Sequence, residues 1–183
     1  TSGEILLDGV DLHKTPRAMH QVYLSSTENW FPKEYKFKDL LSIYKRTYPE
    51  FDSEFAEDLI KVFGVNVKER FLKASTGYQS IMKIILALCN PSEYIFMDEP
   101  VLGLDANHRH IFNKKLLEAY ARNPRTFVIA THLIEEVASI LEKVIVIKDG
   151  VVTEEVMVEE VLGKGYVVSG ATSLVQEFVA DKN

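Results

Sequence analysis

The stretch Tyr94-Ile95-Phe96-Met97-Asp98-Glu99-Pro100 is an apolar run that ends in two carboxylates and a proline. Four consecutive apolar residues predict a strand that is buried on both faces, as is typical of parallel sheets. Ligands of such sheets gather at the carboxyl ends of the strands. Asp98 and Glu99 there suit a Mg²⁺ site, with one acid for the metal and one for a water. The alternative is that either acid caps a loop or the following helix.

The sequence around this run alternates between helical and strand-like patterns. Alternation of this kind predicts a parallel sheet with right-handed crossovers. In the helix expected after residue 105, the apolar stripe consists of Ile111, Phe112, Leu116 and Tyr120. The predicted helices cover residues 75–88, 106–121 and 134–141, and the predicted buried strands cover residues 94–97, 127–130 and 144–147.

The first 71 residues have a different texture. Residues 5–7 predict a short strand that runs into an Asp8-Gly9 turn, and residues 22–24 predict a second strand. Residues 33–71 predict an all-helical insert, with one helix that stops near Pro49 and a second that Ser53 caps. Gly64 follows the last periodic residue, where a left-handed cap is expected.

Composition narrows the class of protein. The chain has 183 residues, 46% apolar and 26% charged, with a formal net charge of −6. This acidic balance argues against non-specific nucleic-acid binding, which needs a cationic surface. The single Cys89 excludes an internal disulfide framework. No apolar stretch approaches the ~20 residues of a membrane span, and we expect an intracellular domain whose first residues lie in mid-fold.

Three short motifs accompany the acidic run. Ala74-Ser75-Thr76-Gly77-Tyr78 opens the preceding helix, Gly103-Leu104-Asp105 precedes the following one, and Ala130-Thr131-His132 ends the next strand. In order and spacing the set resembles the nucleotide-binding domain of the ATP-binding cassette (ABC) transporter family. Residues 74–78 would be its signature motif, and the acidic run would be its Walker B strand. Residues 103–105 would be its D-loop, and residues 130–132 its switch-histidine loop.

The resemblance implies an α/β fold of the P-loop NTPase type. We expect a mostly parallel sheet flanked by helices, a helical subdomain at residues 33–71, a small antiparallel β portion and a variable tail at residues 151–183. The sequence contains no Gly-x-x-x-x-Gly-Lys-Ser/Thr motif. An N-terminally truncated single domain, residues 1–183, explains this more simply than a degenerate protein does.

The resemblance also assigns roles at the acidic run. Asp98 would hold Mg²⁺ through water, and Glu99 would act as the general base toward the attacking water. His132 would contact the γ-phosphate of ATP. Asp105 would lie at a dimer seam, although it could also cap the helix that begins at Ala106.

Two family motifs depart from their usual sequence. Ser75 and Gly77 are kept in the signature segment, residues 74–78, where a helix N-terminus would receive a phosphate. Thr76 replaces a glycine there, and Tyr78 replaces a glutamine, so this ATP contact is expected to be weaker or asymmetric. Ser26 takes the place of the Q-loop glutamine, and its short hydroxyl makes direct contact with Mg²⁺ doubtful. Beyond it, Trp30 and Phe31 either grip a partner helix or pack against the core.

The resemblance implies the ATP-hydrolysing subunit of a membrane ABC transporter. Such a subunit uses ATP and Mg²⁺, pairs with a second ABC ATPase subunit in a homodimer or heterodimer, and binds a transmembrane permease subunit. It would be cytoplasmic and peripheral on the inner face of the cell membrane. The alternative is a non-catalytic interaction or regulatory module. Without a phosphate cradle, we expect residues 1–183 alone to bind no ATP and to associate through sheet edges.

Overall fold

A computed structural model describes residues 3–159 of the chain. The chain divides into two compact units, Thr1–Ala138 and Ser139–Asn183, and each is described by itself. The sequence also predicts a strand at residues 166–168 and a helix at residues 174–179, and both segments lie outside the described residues. The expected insert at residues 33–71 and tail at residues 151–183 stay predictions as domain boundaries.

The first unit contains short strands at its start and then alternates helices with longer strands. In chain order its elements are β1 (Leu6–Leu7), β2 (Val10–Asp11), α1 (Pro16–His20), β3 (Val22–Ser25), α2 (Phe37–Thr47), α3 (Ser53–Val62), α4 (Thr76–Leu88), β4 (Tyr94–Asp98), α5 (Ala106–Arg122) and β5 (Thr126–Ala130). The second unit contains β6 (Lys143–Lys148) and β7 (Val151–Met157). Among the described residues, no helix is both long enough and apolar enough to cross a bilayer.

A three-stranded parallel sheet in the order β3-β4-β5 forms the centre of the first unit. Helix α5 connects β4 to β5, and α4 leads into β4, as the alternating pattern predicted. Phe112 and Leu116 of the predicted stripe on α5 are buried, whereas Tyr120 is exposed. The parallel pairing brings the carboxyl ends of all three strands to the same edge of the sheet.

The central strand is buried on one face, so the prediction that it is buried on both faces is wrong for the described residues. Ile95 and Met97 are buried, but Phe96 between them is 36% exposed. The pairing register sets Phe96 beside Leu24 of β3 and Val128 of β5, and both neighbours are exposed as well. Successive side chains of a strand point to opposite faces, so one side of the sheet carries the core and the other a row of accessible apolar groups.

Helices α2 and α3 occupy the region where a helical insert was expected. Phe37, Leu40, Phe55 and Leu59 are almost fully buried and form much of the core of this part. The N-cap of α3 is Asp52 and not Ser53 as predicted, because the Asp52 carboxylate accepts a hydrogen bond from the Phe55 N–H at 2.9 Å.

Both Asp-Gly pairs of the chain make tight hairpin turns. Asp8 and Gly9 have φ values of 50° and 78° and join β1 to β2, which confirms the predicted strand and turn. Asp149 and Gly150 have φ values of 51° and 76° and join β6 to β7. Positive φ at both central residues fits the type I′ turn of antiparallel hairpins.

The second hairpin overturns one prediction. Residues 144–147 were expected to form a third buried strand of the parallel sheet. They belong to β6, which pairs antiparallel with β7, and Ile145 and Ile147 are more than half exposed. A two-residue Asp-Gly turn brings the following segment back beside β6, so the local hairpin determines the pairing.

The amphipathic helix predicted at residues 134–141 is also wrong. Two short 3₁₀ turns, Ile134–Glu136 and Ala138–Ile140, occupy this segment. Of its apolar residues, Val137 is buried whereas Ile134 is 44% exposed. A helix in water depends on packing along a whole face, and one buried side chain is not enough.

Candidate active site

The carboxyl ends of β4 and β5 bring four polar residues together. Asp98 is paired with Ala130 in the sheet register, so the residues that follow each strand are neighbours. We call Asp98, Glu99, Thr131 and His132 the strand-end cluster. The structure therefore places the predicted site residues Asp98, Glu99 and His132 at one edge of the sheet.

Glu99 has an unusual backbone conformation at the centre of the cluster. Its φ of 47° lies in the left-handed region, and its N–H donates to the Ala130 carbonyl at 2.8 Å. A non-glycine residue there costs on the order of 1 kcal/mol and persists where its surroundings hold it in place. Three hydrogen bonds reach the carboxylate: from Thr131 Oγ1 at 2.8 Å, from His132 N–H at 3.0 Å and from His132 Nδ1 at 2.7 Å.

The electrostatics of Glu99 favour the ionised carboxylate. Burial raises the pKa of Glu99, but the hydrogen bonds from His132 and Thr131 outweigh it, so the pKa lies below its ordinary value. Because an ionised carboxylate can only accept, Nδ1 of His132 carries the proton in this contact. Among the described residues, nothing bonds to Nε2 of His132, and this side chain is 67% exposed. His132 can therefore orient Glu99 with one nitrogen and meet a ligand with the other.

Asp98 is held by the loop that follows β3. Thr27 donates to Asp98 Oδ2 through its hydroxyl at 3.1 Å and through its backbone N–H at 3.4 Å. Among the described residues, Oδ1 of Asp98 accepts no hydrogen bond. Mg²⁺ prefers oxygen ligands and often binds one or two carboxylates together with water and phosphates. A single carboxylate with one free oxygen fits such a partly hydrated ion.

A small cleft of about 70 Å³ lies beside Asp98 and Glu99. Ser26 and Thr76 are among its lining residues, so two of the predicted ATP-contacting residues share this cleft with the two acids. The Ser26 hydroxyl accepts a hydrogen bond from the Glu28 N–H at 3.2 Å. Ser75, Gly77 and Asp105 are not among the lining residues.

The signature segment has structural contacts of its own. Ser75 caps α4, where its hydroxyl accepts from the Tyr78 N–H at 3.3 Å. Gly77 lies so close to Gly103 that a Cβ on Gly77 would be 2.2 Å from the Gly103 carbonyl oxygen. The backbone at Gly77 thus closely approaches that of Gly103 in the same chain.

Tyr78 fastens α4 to the turn after α3. Its hydroxyl accepts from the Asn66 N–H and donates to the Gly64 carbonyl at 3.5 Å. Gly64 itself has a φ of 66°, the left-handed conformation that was predicted for it. The tyrosine that replaces the glutamine of the family motif thus makes a structural contact within the chain.

Asp105 is the N-cap of α5, which was the structural alternative for this residue. Its carboxylate accepts from the His108 N–H at 2.8 Å and from His108 Nδ1 at 2.9 Å. These two hydrogen bonds, the backbone one above all, lower the pKa of Asp105. A cap does not exclude a second role at a dimer seam.

Phe31 and Trp30, the two aromatic residues that follow the Q-loop position, have different environments. Phe31 is half-buried and packs edge-to-face on the buried Phe71, with ring centroids 4.8 Å apart. Trp30 is 82% exposed and is available to a partner.

Sequence reasoning missed three residues that hold the site together. Thr27 bonds to Asp98, Thr131 bonds to Glu99, and Lys83 bonds to the loop that carries Thr27. Thr131 stood in the Thr-His motif but received no role. Lys83 could have been noticed in the sequence, because it is a lone lysine in a run of apolar residues of α4. The structure shows that the residues on either side of it are buried.

The matching curated proteins are ATP-binding subunits of ABC transporters. YtrB of Bacillus subtilis is 26% identical over 159 residues, which span 87% of this chain and 54% of that protein. NatA of Bacillus subtilis is 30% identical over 157 residues, which span 82% of this chain and 63% of that protein. The chain thus spans little more than half the length of YtrB. No protein-family model matches the chain.

Solved structures with the same fold are ABC ATPase subunits. An ATP-binding subunit of an ABC transporter matches with a TM-score of 0.75 and 18% identity, over 89% of this chain and 70% of that one. CbiO1 of Clostridium perfringens, part of the CbiONQ transporter complex, gives 0.64 and 21%, over 90% and 69%. A dimeric cassette bound to ADP and Pi gives 0.68 and 19%, over 86% and 74%. The sequence of the chain is therefore similar to those of ATP-binding subunits of ABC transporters, and the chain has the P-loop NTPase fold of their ATP-binding domains.

Proposed function

We propose that the strand-end cluster is the hydrolytic part of an ATPase site in the ATP-binding subunit of a membrane ABC transporter. The observation that carries this proposal is the geometry of Glu99. Its left-handed backbone turns the carboxylate toward the end of β5, where His132 and Thr131 donate to it. A backbone strained in this way, next to a second carboxylate, is typical of a functional site and not of a loop cap.

The residues have distinct chemical roles in this proposal. Glu99 accepts a proton from the water that attacks the γ-phosphate, and its ionised state at neutral pH keeps it ready to do so. A pKa below the ordinary value makes Glu99 a weak base, so part of its contribution is to orient the water. His132 fixes the Glu99 carboxylate through Nδ1 and offers Nε2 to a phosphate oxygen.

Asp98 is the residue for Mg²⁺ in this proposal. Thr27 holds one oxygen of its carboxylate, and the other is free among the described residues. Bound there, Mg²⁺ would neutralise charge on the phosphate oxygens. Ser26 lines the same cleft and offers its hydroxyl group to the water shell or to the nucleotide.

We further propose that the working unit contains two ATP-binding subunits. Ser75, Thr76 and Gly77 would face the γ-phosphate held by the other subunit, with Asp105 at the seam. The dimeric cassette with bound ADP and Pi supports this by its likeness of fold. A permease subunit would complete the transporter, as the membership of CbiO1 in a transporter complex supports. The chain would then lie on the cytoplasmic face of the membrane.

Glu99→Gln in the protein expressed from its complete reading frame tests the proposal. We expect ATP binding to persist and hydrolysis to fall by ~10²-fold or more, because the general base is lost. Glu57→Gln is the matched control, since Glu57 is an exposed glutamate on α3. Turnover of Glu99→Gln within a few-fold of the parent would contradict the role of Glu99. Absence of hydrolysis in the parent itself would favour the non-catalytic module.

A further inference from the structure

Lys83 lies in the middle of α4 and is partly buried. Its ammonium donates to three successive backbone carbonyls: Ser26 at 2.7 Å, Thr27 at 3.0 Å and Glu28 at 3.3 Å. An ammonium has three N–H donors, so this arrangement satisfies all of them with neutral acceptors. Among the described residues, Lys83 has no carboxylate within salt-bridge distance.

Three carbonyls on one ammonium constrain the backbone of a loop strongly. Burial lowers the pKa of Lys83, and the negative charge of Asp98 partly opposes that effect. The carbonyl dipoles replace the water that a partly buried ammonium loses. The lysine therefore acts as a fixed cation around which residues 26–28 turn.

A second contact fastens the same loop to the same helix. The Asn29 amide donates to Gln79 Oε1 at 2.9 Å, and Gln79 Nε2 donates to the Ala74 carbonyl at 2.8 Å. Gln79 and Lys83 are four residues apart and lie on one face of α4. We call residues 26–29 the 26–29 loop; α4 holds it at both ends.

The loop in turn holds Asp98. Thr27, whose carbonyl Lys83 binds, donates to Asp98 Oδ2 through its hydroxyl and its N–H. We propose that Lys83 is a positioning residue of the active site. By gathering the carbonyls of the 26–29 loop, it keeps Thr27 where it orients the Asp98 carboxylate and leaves Oδ1 open. In its consequence for catalysis this inference rests on the proposed ATPase function, but the clamp on the loop does not.

The first test measures the loop without nucleotide. Trp30 is the single tryptophan of residues 1–183, is 82% exposed and directly follows the loop. With any tryptophan outside these residues replaced by phenylalanine, its time-resolved fluorescence anisotropy reports how firmly the loop is held. In Lys83→Met we expect a larger amplitude of fast motion than in the parent. Lys83→Arg, which keeps charge and donors, should restore most of the order. Lys114→Met, at an exposed lysine of α5, should match the parent.

The second test measures the consequence for Asp98. In the protein from the complete reading frame, Lys83→Met should raise the Mg²⁺ concentration for half-maximal hydrolysis by about tenfold, the scale of residues that orient metal ligands. Thr27→Val should have a similar effect, and the double variant should be little worse than either, because both act through one link.

The outcomes separate the two proposals. Unchanged Trp30 anisotropy in Lys83→Met would overturn the clamp, and an unchanged Mg²⁺ requirement in an active Lys83→Met enzyme would overturn its link to Asp98. If Lys83→Met does not fold, Lys83→Gln takes its place in both tests, because glutamine keeps a polar side chain but its two N–H donors cannot bond to three carbonyls at once. A parent that hydrolyses no ATP contradicts the proposed function, while the anisotropy test still decides the clamp.

Discussion

The strand-end cluster and the signature segment both match family motifs, but their polar groups are used differently. In the cluster, hydrogen bonds run between residues of separate elements and converge on Glu99 and Asp98. In the signature segment, Ser75 caps its own helix and Gly77 lies against Gly103. The cluster also leaves Asp98 Oδ1 and His132 Nε2 open to a ligand, among the described residues.

This difference separates two reasons why a motif residue is needed. Packing within the chain is sufficient to explain why position 77 is a glycine and why position 75 is a good capping residue. Glu99 differs, because its left-handed backbone is unfavourable in itself and is held by hydrogen bonds from Thr131 and His132. The cluster is therefore the stronger functional candidate, and variants in both regions can test that ranking.

The largest effect on stability is expected for Gly77→Ala. The new Cβ would lie 2.2 Å from the Gly103 carbonyl oxygen, so α4 or the loop before α5 must move. Overpacking of this kind costs about 3 kcal/mol, which outweighs the gain of ~1 kcal/mol that alanine brings to a helix. We expect the free energy of unfolding in urea to fall by about 2 kcal/mol.

The neighbouring Thr76→Ala is the control for Gly77→Ala. Thr76 is exposed in the first turn of α4, and its change should alter the free energy of unfolding by less than about 0.5 kcal/mol. Full stability of Gly77→Ala would show that the glycine is not required by Gly103. A bound nucleotide would then have to be the reason for a glycine at position 77.

Sequence patterns predicted most of the elements whose cause is local. The capped helix α4, the apolar strand β4 and the Asp8-Gly9 turn each follow from a few consecutive residues. The contacts of Glu99 could not be predicted, because its positive φ depends on Thr131 and His132, more than thirty residues away. The lone lysine at position 83 was visible in the sequence, but its partners could not be predicted, since backbone carbonyls carry no sequence signal.

The errors have the same origin. Residues 144–147 have the composition of a buried strand, but the Asp149-Gly150 turn pairs them with β7. The spacing of the apolar residues in 134–141 is helical, yet Val137 is buried and Ile134 is not. Periodicity predicts the structure that a segment can form, whereas packing partners decide whether it does.

A smaller effect, which depends on pH, is expected at Glu99. Its folded-state pKa is lowered, so Glu99 stabilises the fold above its ordinary pKa, and this contribution is lost as the pH falls through the folded value. Glu99→Gln should lower the free energy of unfolding by about 1.5 kcal/mol near pH 7, the scale of hydrogen bonds to a charged group. The difference from the parent should shrink steadily below pH 4.5.

Urea unfolding of both proteins between pH 3 and pH 7 measures this, with Glu57→Gln as the control that should show no such trend. A difference that stays constant over the whole range would mean that the charge of Glu99 is not what His132 and Thr131 stabilise. The comparison of the two regions would then lose its electrostatic basis.

The smallest effects are expected at the two helix caps. Asp105 accepts at 2.8 Å and has a second bond from His108, whereas Ser75 accepts at 3.3 Å. In urea unfolding, Asp105→Ala should therefore destabilise the protein more than Ser75→Ala, which should cost about 0.5 kcal/mol.

Ser75→Asp then tests whether position 75 has a functional role in addition to its structural one. Aspartate caps a helix as well as serine does, and its charge favours the helix N-terminus, so stability should be kept or slightly raised. If Ser75 faces a phosphate of the partner subunit, the same charge repels it, and hydrolysis should fall at least tenfold while stability does not. If Ser75 is only a cap, both stability and hydrolysis stay at the parent's level. Hydrolysis that falls with Ser75→Asp but not with Asp105→Asn would place the ligand contact at the signature segment and leave Asp105 as a structural cap.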